Sequence, residues 1–342
     1  MKRVRNLFDA AFSRENLYLA YLDASRHKRG TRACFNFERA LGANLDDLHS
    51  EIHNGSYKPL PYYSFMVYEP KPRQIYAPAF RDLVIQHAIY RVVYPIFNRS
   101  FIAHSFACRR GYGTHKGADY AQRAMQQSVT DSYILKLDIR KFFYRIDRDI
   151  LRGMLGGKIK DRRFVDLMML FADHGEAVGI PIGNLLSQLY ALIYLNPLDH
   201  FIKRVLKVKR YARYVDDFAL FDLTRDQAIE YRGRIEEFLK GLKLEFSKTG
   251  ISKTSRGINF VGYRTWRSKR FIRKRSVYRF KCAAKRGNLE SAVSILGHAK
   301  RTHSRKHLVN FARQFNHAVY LQLPKNHHAR TDGDSHLSNT PN

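Results

Sequence analysis

Cysteine is scarce in this sequence. The three copies in 342 residues, Cys34, Cys108 and Cys282, lie far apart with no paired spacing, which excludes a disulfide framework and a cysteine-built zinc module and fits a reducing cytosol. Long apolar runs are missing too, since no stretch approaches the roughly twenty residues that a membrane-spanning helix needs. The N-terminus, MKRVRNLFDAAF, is basic, but no apolar segment long enough for a signal peptide follows it. The expectation is a cytoplasmic protein without membrane contacts. Fifteen histidines form no HExxH or His/Cys cluster, so they read as single surface residues. Acidic residues are the most telling shortage. Only 30 Asp+Glu stand against 61 Lys+Arg, for a formal charge of +31, a surplus that repels itself unless a polyanion is bound.

The chain nevertheless has the means to fold, with 44% hydrophobic and 13% aromatic residues over a length that accommodates two or three packed subdomains. Its positive charge is clustered. From Phe246 to Leu289 there are fourteen Lys/Arg and no Asp or Glu, a pattern suited to fast, salt-sensitive association with nucleic acid. Against this background the stretch ARYVDDFALF, Ala212 to Phe221, sets two adjacent aspartates in an apolar run. Tyr214 and Val215 favour a strand before them and Phe218 to Phe221 one after, which places Asp216 and Asp217 at or near a hairpin turn. Aspartate in a turn most often serves the turn alone. A third carboxylate changes the balance, because in YILKLDIRKFF Asp138 ends another apolar, β-prone run. Three aspartates at the ends of neighbouring strands make a hard-oxygen site for two Mg²⁺ ions, the arrangement used for in-line displacement at phosphorus.

Residues 1 to about 60 carry apolar residues at three- and four-residue spacing and predict two or three helices, closed by NGSYKPLP. SFMVYEPKPRQIYAP reads as two β-prone runs with Lys71 and Arg73 between them; these are either ordinary hairpin cations or a cover for a nucleotide triphosphate. A helix is predicted over Arg81–Phe97, with Leu83, Val84, Ala88, Val92 and Val93 inward. In SFACRRGYGTHKGADY, Gly111 and Gly113 give a turn before a helix capped by Thr114, and Arg109 and Arg110 precede it, where cations and free N–H groups suit a phosphate backbone. Phe142 and Phe143 follow the Asp138 run, either as core or as an aromatic under a nucleotide sugar. GIPIGNLLSQ opens as a loop in which Gly183 allows close backbone approach to a base pair. It continues as a helix that Asn196 and Pro197 interrupt or re-cap. A helix over Arg225–Leu242, strands in LKLEFSKTGIS and INFVGYRTW, and C-terminal helices near 290 to 320 complete the reading. From Pro324 onward the chain is polar and predicted to be disordered.

Taken in order, KPRQI with DLVIQHAIY, SFACRRGYGTHKGA, LKLDIRKFFYRID, GIPIGNLLSQ, YVDDFALF, LEFSKT and NFVGY resemble the motifs of reverse transcriptases, over roughly residues 30 to 320. The resemblance implies an α+β right-hand polymerase fold. An N-terminal helical segment would occupy residues 1–60 and fingers 61–130. A palm, with an antiparallel sheet backed by helices and with interleaved fingers helices, would occupy 131–265, a small helical thumb 266–323 and a disordered tail 324–342. The implied activity is RNA-directed DNA polymerisation with two Mg²⁺ ions, Mn²⁺ serving as a substitute. Asp138 and Asp216 resemble direct metal ligands, joined by the backbone carbonyl of Ile139, and Asp217 completes the acidic set. Lys71 and Arg73 resemble residues that hold the triphosphate and Phe143 the gate under the sugar. Ile182 and Gly183 lie where the templating pair is checked, with Gln188 in the same dNTP-binding group. Lys248 resembles the basic residue that protonates departing pyrophosphate. The basic stretch after Phe246, including Arg273, Lys274 and Arg275, joins Arg109 and Arg110 as the implied grip on nucleic acid.

Most reverse transcriptases place Gln before the glycine of GIPIGNLLSQ and Pro after its serine, whereas this chain has Ile182 and Gln188. That departure, the compact length and the GINFVGYRTW and GHAK segments resemble the enzymes of diversity-generating retroelements. Such enzymes copy a template-repeat RNA and misincorporate opposite adenine, so that a variable gene region is diversified. The resemblance implies as partners the template RNA, the RNA/cDNA heteroduplex, dNTPs and a small, basic, oligomeric accessory protein. Group II intron-like, retron and phage-defence reverse transcriptases are the nearest alternative. A catalytically idle RNA-binding protein is more distant, because a binding module gains nothing from three carboxylates facing a polyanion.

Overall fold

The computed structural model describes residues 3–68 and 71–324, so the disorder predicted for the tail beyond Pro324 lies outside the described residues. Contacts divide the chain into two compact units, Met1–Val261 and Gly262–Asn342. Four helices, rather than two or three, open the first unit: α1 (Leu7–Phe12), α2 (Arg14–Ser25), α3 (Arg32–Glu38) and α4 (Leu41–Asn54). Side-chain caps account for the extra breaks. Ser13 accepts from the Asn16 N–H and Thr31 from the Cys34 N–H, so the periodic run is cut into separate helices.

Strands β1 (Tyr63–Val67) and β2 (Arg73–Ala77) pair antiparallel, followed by α5 (Phe80–Asn98) and α6 (Thr114–Gln126). The cap of α6 is Gly113 at φ 142, not Thr114, because the chain enters this helix through a conformation that favours glycine. Next come β3 (Tyr133–Ile139), α7 (Phe142–Arg145), α8 (Arg148–Gly156), α9 (Arg162–Leu170) and α10 (Leu185–His200). Pro197 does not end α10, contrary to expectation; the helix passes through it and finishes in a π-helical turn, Phe201–Val205. Residues 189–195 of α10 are buried on every side, and packing of that extent outweighs one lost backbone hydrogen bond. The unit closes with β4 (Arg210–Tyr214), β5 (Asp217–Leu223), α11 (Arg225–Gly241), β6 (Phe246–Lys253) and β7 (Ile258–Phe260).

Four of these strands form one sheet in the order β4-β5-β3-β6, every neighbour antiparallel. Side chains alternate across β3. Leu135, Leu137 and Ile139 are buried in the core that also holds α5 and α10, so Lys136 and Asp138 leave from the other face. α11 lies along β3 and β6, and α6 along β4 and β5.

The second unit pairs β8 (Tyr263–Thr265) with β9 (Arg270–Ile272) and adds α12 (Lys274–Lys285), α13 (Leu289–His298), α14 (Ser304–Phe315) and α15 (His317–Gln322). Tyr263 and Phe280 are core residues here, while Tyr278 is exposed. The Tyr263 ring stacks on His298 at 4.2 Å and its hydroxyl donates to the His298 carbonyl at 2.9 Å. Among the described residues, no helix is long and apolar enough to cross a membrane.

Candidate active site

β4 and β5 are joined by a two-residue turn, Val215–Asp216, with Tyr214 opposite Asp217. Val215 sits at φ 56, a conformation that a β-branched residue adopts only under constraint. The constraint comes from beneath. Arg213, fully buried, donates from Nε to Asp199 Oδ1 at 2.7 Å and from Nη2 to Asp199 Oδ2 at 2.5 Å, and its Nη1 donates to the Val215 carbonyl at 3.0 Å. The Tyr211 hydroxyl adds a bond to Asp199 Oδ1 at 2.8 Å. Burial opposes the charge on Arg213, but the Asp199 carboxylate outweighs it and keeps the guanidinium protonated. A fork of this kind clamps the turn to α10.

Across the sheet, Asp138 is paired with Asp217 on β5 and with Lys248 on β6. Directly opposed residues share a face, so Asp217, Asp138 and Lys248 stand in one row. The Ile139 N–H donates to the Asp216 carbonyl at 3.1 Å, which draws the hairpin turn against the end of β3. A bulge follows on β6: Asp138 faces Lys248 but Ile139 faces Phe246, leaving Ser247 as the extra residue. The Ser247 hydroxyl turns onto the Asp138 carboxylate and also lies 3.3 Å from its carbonyl. Lys136, two residues before Asp138, reaches Asp217 Oδ1 at 3.1 Å. That oxygen is buried and makes no well-formed hydrogen bond among the described residues, so the contact is an ion pair.

Burial raises the Asp216 pKa, the nearby Asp138 adds to the rise, and the charges of Arg73 and Arg213 partly offset it. Asp217 is pushed up to about 6 by burial, with Lys136 opposing and Asp138 and Asp216 reinforcing. Such a carboxyl binds more protons folded than unfolded, so its contribution to stability is complete below its ordinary 3.8 and is lost as pH rises through about 6. Asparagine is neutral throughout. In metal-free urea unfolding, Asp217→Asn is therefore expected to gain about 1–3 kcal/mol relative to wild type between pH 4 and 7. A difference that does not change with pH would contradict the buried, repelled carboxylate.

No three His, Cys, Asp or Glu side chains form a closed metal cage among the described residues. The acidic set nevertheless suits a hard divalent cation. Its donors are carboxylate oxygens, one of them buried and short of hydrogen bonds, and Mg²⁺ typically takes only one or two carboxylates, completing its shell with water and phosphate.

Arg73 opens β2, exposed, and its charge is felt at Asp216; Lys71 is exposed just ahead of it. The GIPIG loop bridges this hairpin and α7. The Ile180 N–H donates to the Phe143 carbonyl at 2.9 Å, and the Tyr76 N–H to the Ile182 carbonyl at 2.7 Å. Gly183, at φ +107, lies so close to β2 that a Cβ would come within 2.7 Å of Ile75 Cγ2 and 3.2 Å of the Tyr76 carbonyl. The close approach this glycine allows within the chain is to β2. Ile182 is half-buried and Gln188 is exposed on α10. Phe143 is half-buried and meets Phe142 edge-on at 5.6 Å.

Arg109 departs from its expected place on a phosphate backbone. Its Nε donates to Asn98 Oδ1 at 3.0 Å, its Nη1 to the carbonyls of Ile102 at 2.6 Å and Ser105 at 3.1 Å, and the guanidinium lies 4.1 Å from the Tyr112 ring centroid. It ties its own loop together. Arg110 is exposed, as are Arg273, Lys274 and Arg275 where α12 begins. No acidic residue lies in the first turn of α12, so these cations oppose the helix dipole, a local cost that a bound polyanion would relieve.

The family model described as reverse transcriptase (RNA-dependent DNA polymerase) matches residues 69–265, more than half of the chain. The chain belongs to the reverse transcriptase family. This reverse transcriptase is 27% identical over 293 residues to Protein YkfC of Escherichia coli strain K12, covering 70% of this chain and 74% of YkfC. It is 28% identical over 210 residues to the group II intron-encoded protein LtrA of Lactococcus lactis subsp. cremoris, covering 56% of this chain but only 34% of LtrA. The solved telomerase from Candida tropicalis, in complex with a TWJ fragment of telomeric RNA, superposes with a TM-score of 0.51 at 12% identity, over 81% of this chain and 57% of that one. The right-hand polymerase fold expected from the motifs is thus the fold of this protein, and the family it belongs to is that of RNA-dependent DNA polymerases.

Proposed function

We propose that this reverse transcriptase extends a primer at the row Asp217–Asp138–Lys248 beside Asp216, and that it does so as a diversity-generating enzyme. The observation that carries the site is the register: three separate strands bring these residues to one edge of one sheet. Asp138 and Asp216, with the Ile139 carbonyl, would hold two divalent ions, Mg²⁺ by preference with Mn²⁺ as a substitute. Bound there, such ions would supply Lewis acidity to the primer 3′-hydroxyl and positive charge to the triphosphate. Lys71 and Arg73 hold the triphosphate from the fingers hairpin, Phe143 excludes a 2′-hydroxyl, and Ile182, Gly183 and Gln188 border the nascent pair. The 3′-hydroxyl gives up its proton to solvent and its oxygen bonds to the α-phosphorus as the bond from that phosphorus to the bridging β-phosphate oxygen breaks, and Lys248 gives a proton to the departing pyrophosphate. Arg110, Arg273, Lys274 and Arg275 hold the RNA and its heteroduplex.

The diversity-generating reading is supported by Ile182, an aliphatic residue where most relatives of this enzyme class place Gln. Its carbonyl is already taken by the Tyr76 N–H, so what it offers the nascent pair is packing without a side-chain hydrogen bond. Discrimination by apolar shape alone is worth about 1–3 kcal/mol. Ile182→Gln is expected to lower misincorporation opposite template adenine by about tenfold, read by sequencing the cDNA; an unchanged spectrum opposite every base would remove Ile182 from the account. A small basic accessory protein is the expected partner on the template-repeat RNA. A second reading, an intron-type enzyme, is favoured by the likeness to LtrA. Copying a defined RNA with and without the accessory protein separates the two: errors concentrated opposite adenine support diversification, and faithful cDNA supports the intron type.

A further inference from the structure

A cation stands inside the acidic set. Lys136 and Asp138 are two residues apart on β3, so both side chains leave the same face of the sheet. The positions opposite Lys136 are Ala219 on β5 and Gly250 on β6. Neither carries a side chain long enough to compete for it or to block its path. The lysine runs along the face to Asp217, with Nζ 3.1 Å from Oδ1, and both side chains are largely covered, at 32% and 19% exposure. Asp138 is engaged differently, by the Ser247 hydroxyl from the β6 bulge. Within the acidic set, Asp217 is the carboxylate held by an ammonium.

We infer that Lys136 is a positioning residue that holds Asp217 as its counter-ion, keeping that carboxylate out of the metal shell and leaving divalent cations to Asp138 and Asp216. The inference rests on reading Asp138 and Asp216 as the metal-holding pair. It gives Asp217 a role of its own, because Asp217 is in register with Asp138 and without Lys136 would be free to turn toward the same ion. Three carboxylates closing on one cation bind it tightly. A polymerase that must release pyrophosphate with its ion in every cycle is slowed by such a grip.

The test is Mn²⁺ binding followed by electron paramagnetic resonance without nucleotide, which reads the site independently of turnover. Lys136→Met is expected to tighten Mn²⁺ binding by about tenfold, and Lys136→Arg to stay near wild type. In an Asp217→Asn background the Lys136→Met effect should vanish, since the carboxylate it releases is gone. Cooperative thermal unfolding establishes that each variant is folded, and Lys136→Gln replaces the methionine variant if that one is not. Unchanged Mn²⁺ affinity in a folded Lys136→Met protein would overturn the inference. So would equal tightening in both backgrounds, which would make Lys136 a through-space charge acting without Asp217. Mn²⁺ binding that survives both Asp138→Asn and Asp216→Asn would overturn the metal-pair reading itself, and the inference with it.

Discussion

Asp216→Asn is expected to cut RNA-templated DNA synthesis by about a thousandfold or more while leaving RNA affinity within about twofold of wild type. The substitution keeps the shape of the side chain and removes its charge. It leaves intact the backbone carbonyl that accepts the Ile139 N–H, so the turn stays against β3. It also relieves the repulsion from Asp138 and the burial that raises the Asp216 pKa, so the variant should unfold no earlier than wild type. The cations proposed to hold RNA are untouched by the substitution. Primer extension and filter binding on one preparation check both halves. Loss of synthesis and RNA binding together would mean that the substitution disrupts the fold and that the defect is not a local one of charge.

Breaking the pair under the turn should have the largest effect on stability. Arg213 and Asp199 are both essentially inaccessible to solvent, so removing one strands the other as a buried charge. Arg213→Met or Asp199→Asn alone is expected to cost about 3–5 kcal/mol in urea unfolding. Replacing both at once, as Arg213→Met with Asp199→Leu, should recover most of that loss, because no uncompensated charge remains. Activity should not recover with it. The Val215 carbonyl would have lost its donor, and a shift of Asp216 by about an ångström is worth about a hundredfold in rate. Either single variant unfolding like wild type would show that the clamp is not what holds the turn.

These two cases also mark where reading from sequence alone stops. Asp138 and the Asp216–Asp217 pair were legible because local rules placed them: apolar runs of strand length and an aspartate pair between two β-prone flanks. The antiparallel register that lines them up with Lys248 follows from the family fold. Arg213 was invisible for the opposite reason. In a chain with 61 Lys+Arg one more arginine beside an apolar run carries no signal, and its partner Asp199 lies on a helix that only tertiary packing brings underneath. Arg109 misled in the same way, since a cation beside glycines looks like a phosphate contact until the loop carbonyls around it are placed. Ser247 depends on a bulge, which shifts register by one residue and leaves no mark in the hydrophobic pattern. Lys136 was the legible omission: its spacing of two from Asp138 already put it on the same face of β3. The expected break at Pro197 failed because burial along α10 outweighs a local propensity.

The most direct test of the central claim is incorporation of labelled dNTPs by the purified chain on a primed RNA of defined sequence, with Mg²⁺, in the presence and absence of the accessory protein. The account predicts a cDNA complementary to the RNA, made by wild type and missing with Asp216→Asn. Failure of wild type under both conditions, or product of equal amount from the Asp216→Asn protein, would contradict it.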